Sequence, residues 1–183
     1  MFDAHSETAA APAHSCGAAA GLSYAARPRF AERPHAIATT RLLVCDAARS
    51  DRERLAVSCL RLVLGAYEDA DISAYALAYE CAERHFGRRW AVDYVRAISA
   101  IVRTLRRDRD TGFRFLRNAE GLLTADEDNF LSALQAAIDG NSVGVEAGSI
   151  MLAQSLDGRN LVDDFWRLAK LTMAAGWLRG APA

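Results

Sequence analysis

A chain of 183 residues suits one domain, and a composition 51% hydrophobic and 25% charged lies inside the globular range. Four cysteines, Cys16, Cys45, Cys59 and Cys81, without a CxxC pair are too few and too scattered for a disulfide scaffold. The formal net charge of −1 conceals an uneven spread of charge. Lys170 is the one lysine, so 21 of the 22 basic residues are arginine. With the abundant alanine, that bias matches GC-rich, bacterial codon usage, so the choice of arginine over lysine carries no message of its own.

The first 35 residues are rich in alanine, carry Pro12, Pro28 and Pro34, and lack helical periodicity. They are expected to form a disordered tail ahead of an all-helical domain over 36–180. The alternative is an arm in which Tyr24 and Phe30 dock onto the body. Asp3 and Glu7, with no basic start and no apolar run, argue against a secretory signal. No stretch reaches 18 apolar residues, because "LAVSCLRLVLGAY" is cut by Arg61. A cytoplasmic protein without membrane contact is the expectation.

Helix signals dominate from residue 36 on. A short helix is expected over 36–48. Ser50-Asp-Arg-Glu53 is a capping box that opens a central, mostly buried helix over 51–67. Asp69 or Asp71 caps the next, over 71–86, with Ile72, Tyr75, Tyr79, Ala82 and Phe86 inward, and Gly87 stops it. A helix over 88–108 follows, then an irregular stretch over 110–123. Thr124-Ala-Asp-Glu127 is a second capping box, for a helix over 125–139 that Gly140 ends. Further helices are expected over 142–155 and, capped by Asn160, over 161–178. No strand ladder is visible. The fold class that follows is all-α, a single compact bundle of six to seven helices.

The helix over 88–108 carries the main functional signal. At 100° per residue, Trp90, Tyr94, Ala97, Ile98, Ile101 and Leu105 share one face. Arg89, Arg96, Arg103 and Arg107 gather on the opposite one, flanked by Arg88 and Arg106, along about 27 Å. Over 84–117 ten arginines face three acids, a charge of +7; over 118–164 nine acids face Arg159 alone, a charge of −8. A solvated helix face usually mixes signs. The two stretches could face each other within the fold or across a homodimer, the basic face could dock an acidic protein, or it could track phosphates. A helix-turn-helix around Ala136 and Gly140 is rejected, since the would-be recognition helix over 142–155 holds no base.

Weaker constellations add little. Cys81 and His85 stand four apart on a helix, a spacing able to grip one metal ion from one face, but two more ligands would be needed. Asp69, Asp71 and Glu80 fit the outer positions of a calcium loop, yet Ala74 stands where its turn needs glycine. The runs Asp126-Glu127-Asp128 and Asp163-Asp164 read as first-turn acids that complement the helix dipole. There is no P-loop, GxGxxG, GxSxG or HExxH. The expectation is a non-enzymatic adaptor or regulator with no cofactor, acting by protein–protein contact or self-association. The alternatives are a nucleic-acid-associated regulator using the same face, and a ligand-binding or enzymatic bundle whose pocket leaves no motif.

Overall fold

The computed structural model describes residues 43–44, 50–117, 122–155 and 158–180, with backbone alone at 43–44 and 175–180. Its elements in chain order are β1 (Leu43–Val44), α1 (Asp51–Asp69), α2 (Ile72–Phe86), α3 (Arg88–Asp108), β2 (Leu122–Leu123), α4 (Ala125–Ile138), α5 (Ser142–Ala153) and α6 (Arg159–Gly180). The six helices pack as an all-α bundle.

The helix starts follow the capping chemistry. At α1, Glu53 N donates to Ser50 Oγ (3.3 Å) and Ser50 N to Glu53 Oε2 (2.8 Å), closing the box from both sides. At α4, Glu127 N donates to Thr124 Oγ1 (3.1 Å) and Thr124 N to Glu127 Oε2 (2.8 Å). Asp71 caps α2 by accepting from Ser73 N at 2.8 Å, and Asn141 caps α5 by accepting from Gly144 N at 3.0 Å. A single residue, Gly87, joins α2 to α3 at φ 76° and ψ 160°. A side chain would be strained there, which is why the turn needs glycine. Asn160 differs from its expected role: it lies inside α6, and its side chain reaches Asp108 Oδ2 at 3.5 Å.

α3 occupies the centre, packed on α1, α2 and α6, while α4 packs on α5 and α6 and more lightly on α1. Tyr94, Ile98, Ile101 and Leu105 of α3 are fully buried together with Leu60 and Leu64 of α1, Phe130 of α4 and Phe165 of α6. Phe130 and Phe165 meet at 5.6 Å between ring centroids. α1 buries eight residues, as its wide apolar stripe requires. α2 is an outer helix instead. Ile72 is 86% exposed, and only Ala78 and Ala82 are buried, with Tyr75, Tyr79 and Phe86 half-covered. Between α4 and α5 a Cβ on Gly148 would lie 2.7 Å from Ala133 Cβ, and one on Gly144 would lie 2.9 Å from Ala136 Cβ. The two glycines are there for close helix packing.

Two expectations change in this region. Leu43 and Val44, expected within a helix over 36–48, form a strand that pairs antiparallel with Leu123 and Leu122. A strand ladder therefore exists, though only two residues long. The physical reason is that β2 leads directly into the Thr124 cap, so its own backbone groups need a partner that a helix could not offer. The expected tail over 1–35 lies outside the described residues, as does the rest of the 36–48 helix.

Residues 109–117 are the exposed fold's weak point turned inward. They are irregular, yet Phe113 is fully buried, so their backbone groups need internal partners. The first turn of α4 supplies them. Asp126 Oδ2 accepts from Arg114 N (2.8 Å) and Arg109 Nη2 (3.0 Å). Glu127 Oε1 accepts from Leu116 N (3.2 Å) and Arg61 Nε (2.6 Å), and its Oε2 from Arg61 Nη2 (3.0 Å). Thr124 Oγ1 donates to Arg114 O (2.6 Å), and Arg61 Nη2 also reaches Leu122 O (2.6 Å). Arg117 then ties the segment's end to Glu68 and Asp69 at the close of α1.

The Glu127 side chain is 0% exposed and that of Arg61 13%. Removing one partner of such a pair strands the other charge, at a cost of about 3–5 kcal/mol. Glu127→Ala should lower unfolding free energy in urea by about that much. The double change Arg61→Met with Glu127→Leu should cost less than Glu127→Ala alone, because no charge is then left stranded. Equal losses would mean that the backbone bonds, not the ion pair, set the cost.

Candidate interaction surface

Gly87 turns the chain so that α3 runs back along α2, with its apolar face against three helices. Ala91, Tyr94, Val95, Ala97, Ile98, Ile101, Val102 and Leu105 are buried along it. The opposite edge is therefore left outside, and Arg88, Arg89, Arg96, Arg103 and Arg107 are exposed on it. The edge follows from packing: a helix with so wide an apolar face has only a narrow strip left for charge.

The six arginines differ in their surroundings. Arg88, Arg89 and Arg103 make no hydrogen bond or ion pair among the described residues. Arg96 Nη1 stands 4.0 Å from Asp93 Oδ1, a loose pair of little energetic weight with Arg96 two-thirds exposed. Arg107 grips the adjacent Asp108 with two bonds, Nε to Oδ1 at 2.6 Å and Nη2 to Oδ2 at 3.0 Å. That bond holds the Asp108 carboxyl below its usual range. Arg106 leaves the edge: its Nη1 donates to Tyr67 O at 3.3 Å, and its guanidinium lies 5.0 Å from the Tyr67 ring centroid. Tyr67 in turn meets Tyr75 edge-on at 5.9 Å, and Tyr75 Oη donates to Ser99 Oγ at 3.1 Å. Burial, with Tyr75 beside it, pushes Tyr67 up to about 12, although Arg103 and Arg106 pull the other way.

On its other side the edge borders α6, which runs antiparallel to α3. Thr104 Oγ1 donates to Asp164 Oδ2 at 3.3 Å, and Asn160 reaches Asp108 one turn further along. Burial raises the Asp164 carboxyl; the Thr104 hydroxyl, Arg167 and Arg103 only partly offset it. Exposed Asp163 and Arg167 continue the surface. The acids nearest the edge are thus Asp93, Asp108, Asp163 and Asp164.

The acidic stretch meets the basic one elsewhere. Asp126 takes Arg109, whose side chain is 2% exposed and also donates from Nη1 to Leu152 O at 3.3 Å and from Nε to Thr111 Oγ1 at 3.0 Å. Glu127 takes Arg61 of α1. None of these is among the six arginines singled out by pattern. The sequence does hold a signal for them: an arginine inside an otherwise apolar helix, as Arg61 is, must find a partner where it is buried. Reading Asp126 and Glu127 as dipole complements accounted for their place but not for their bonds.

Cys81 is a half-buried free thiol, and His85 Nδ1 lies 2.9 Å from Cys81 O, so that nitrogen is engaged by its own helix. Among the described residues no three His, Cys, Asp or Glu side chains are grouped to hold a metal ion. Asp71 serves as the α2 cap, with Ser73 bonds lowering its pKa, and Asp69 is held by Arg117. Cys59 is buried, near Ala78 O at 3.7 Å, and burial pushes its thiol up to about 12. Among the described residues no helix is long and apolar enough to cross a membrane.

Compared with known protein families, with curated proteins and with solved structures, the chain matches none.

Asp164→Asn keeps an oxygen for the Thr104 hydroxyl and removes the charge. The folded carboxyl holds its proton more tightly than the unfolded one, so stability is lost as pH rises through the folded pKa. The substitution should therefore raise the urea midpoint at pH 7. The gain should vanish below about pH 3.9, the ordinary aspartate value, where both states are protonated. A gain that persists at pH 3 would place its cause outside the charge.

Proposed function

We propose that the chain is a non-enzymatic adaptor or regulator whose α3 edge docks an acidic protein surface. The observation that supports this reading is the exposure of Arg88, Arg89, Arg96, Arg103 and Arg107 along one strip of a helix whose other sides are committed to the core. An arginine strip offers planar donors suited to carboxylates. The acids set beside it favour a protein over a nucleic acid. Asp93, Asp108 and Asp163 would repel an unbroken row of phosphates, whereas a protein surface of mixed sign can meet arginine and aspartate in register. A nucleic-acid partner and a second copy of the chain are the competing readings.

The triple variant Arg96→Gln, Arg103→Gln, Arg107→Gln separates them. In co-purification from cells that produce the chain, an acidic partner protein should be recovered with wild type after nuclease treatment. Its affinity for the triple variant should fall by about tenfold or more, each 1.4 kcal/mol being a factor of ten. Arg52→Gln, exposed at the start of α1, should leave it unchanged. Loss of the partner on nuclease treatment would favour nucleic acid. A change in sedimentation of the purified chain would favour self-association. Equal recovery by wild type and triple variant would remove the α3 edge from the function.

A further inference from the structure

α5 presents a second surface, of opposite character. Val143 is 75% exposed and Met151 59% exposed. Ala147 is exposed and Ile150 half-buried between them. These four fall on one side of the helix, while Val145, Ser149, Leu152 and Ala153 face the core. The strip is therefore apolar where a solvated helix would be polar. Its charged neighbours are acidic: Glu146 on the same side and Asp139 at the end of α4, both exposed. From residue 118 to 158 the chain contains no arginine, lysine or histidine.

An occupant for this surface should be apolar and cationic, and it should be short. Val143 to Met151 spans only about 12 Å at 1.5 Å per residue. That is far too little for the roughly 800 Å² per partner of a stable free-standing interface. A tethered segment escapes this limit, because its effective concentration reaches the millimolar range. One stretch of the chain has the matching chemistry: "YAARPRFAER", residues 24–33, with Arg27, Arg29 and Arg33, aromatic Tyr24 and Phe30, and a single acid, Glu32.

The tether starts in the right place. β1 is held against β2, just before α4. The Arg109 guanidinium bonds both Asp126, three residues after Leu123, and the carbonyl of Leu152, next to Met151. β1 is thus anchored close to the Met151 end of α5. The twelve residues 31–42 separate Phe30 from Leu43. They extend to about 45 Å at most and average about 20 Å as a coil, so the strip is within reach.

We infer that the basic-aromatic segment 24–33 docks in cis on the apolar, acid-rimmed α5 strip Val143–Ala147–Ile150–Met151. The aromatic rings cover the strip and the arginines meet Glu146 and Asp139. This is independent of the α3 edge, which lies on another helix.

A photo-crosslinker placed by Phe30→p-benzoylphenylalanine in the full chain tests it, with products mapped by mass spectrometry. The expected result is an intrachain crosslink to residues 143–154 whose yield does not change on dilution from 20 to 1 μM (about twentyfold). The paired change Val143→Asp with Met151→Asp, at exposed positions that the core does not use, should cut that yield at least fivefold. So should Arg27→Ser, Arg29→Ser and Arg33→Ser together. Crosslinks between two chains that fade on dilution would assign the strip to a second copy and overturn the docking in cis. Crosslinks to another face, or free exchange of the amides of 24–33 with deuterium, would overturn it as well.

Discussion

The bundle depends on how a non-helical segment is carried through its interior. Residues 109–117 must leave the end of α3 and reach β2 with Phe113 in the core and no helix or ladder of their own. Every backbone group they bury must find a partner inside the protein. Two consecutive carboxylates at the start of α4 meet that demand. Asp126 and Glu127 accept from Arg114 N and Leu116 N, and the two arginines that balance their charge come from elsewhere, Arg109 from the end of α3 and Arg61 from the middle of α1. The capping box of α4 is part of the same cluster, since Glu127 closes it while holding Arg61. One short stretch thus starts a helix, seats a loop and ties α1, α3, α4 and α5 together.

That arrangement also decides which charges remain available outside. Arg109 and Arg61, with Asp126 and Glu127, are withdrawn into the interior, where a charged group is tolerated only with partners. The arginines of the α3 edge are not drawn into this cluster. Their nearest acids come from α3 itself and from α6, and Arg88, Arg89 and Arg103 make no hydrogen bond or ion pair among the described residues. Charge blocks that nearly cancel in the sequence therefore do not cancel in space. Exposed arginine stays on α3 with Asp163 and Asp164 of the acidic stretch beside it, while Asp139 and Glu146 stand exposed at the end of α4 and on α5.

The helices and their limits were largely legible in advance. Ser50 to Glu53 and Thr124 to Glu127 define starts because the side chains and backbone groups that bond are only three residues apart. Gly87 defines a junction because its backbone angles are closed to other residues. The α3 face was legible too, because one helix alone sets its 100° spacing. Less legible was α2, whose tyrosines and Ile72 read as an inward stripe; only its alanines are fully buried, Tyr75, Tyr79 and Phe86 are half-covered, and Ile72 stands in solvent at the helix start. The helix expected around Leu43 and the cap expected at Asn160 failed for the same reason. In both places the partner is remote: Leu122–Leu123 for the strand, and Asp108 for the asparagine.

Local chemistry thus settled by itself where the helices of this protein begin, which side of α3 is apolar and how many arginines its other side carries. Those properties depend on contacts within a few residues, and such contacts are written in spacing. Only the tertiary structure decided that Arg61 and Arg109 are buried partners of Glu127 and Asp126, and that Arg96, Arg103 and Arg107 are left to face outward. Pairing of charges is a matter of distance in space, and groups 66 residues apart, as Arg61 and Glu127 are, become neighbours only when the whole bundle has closed.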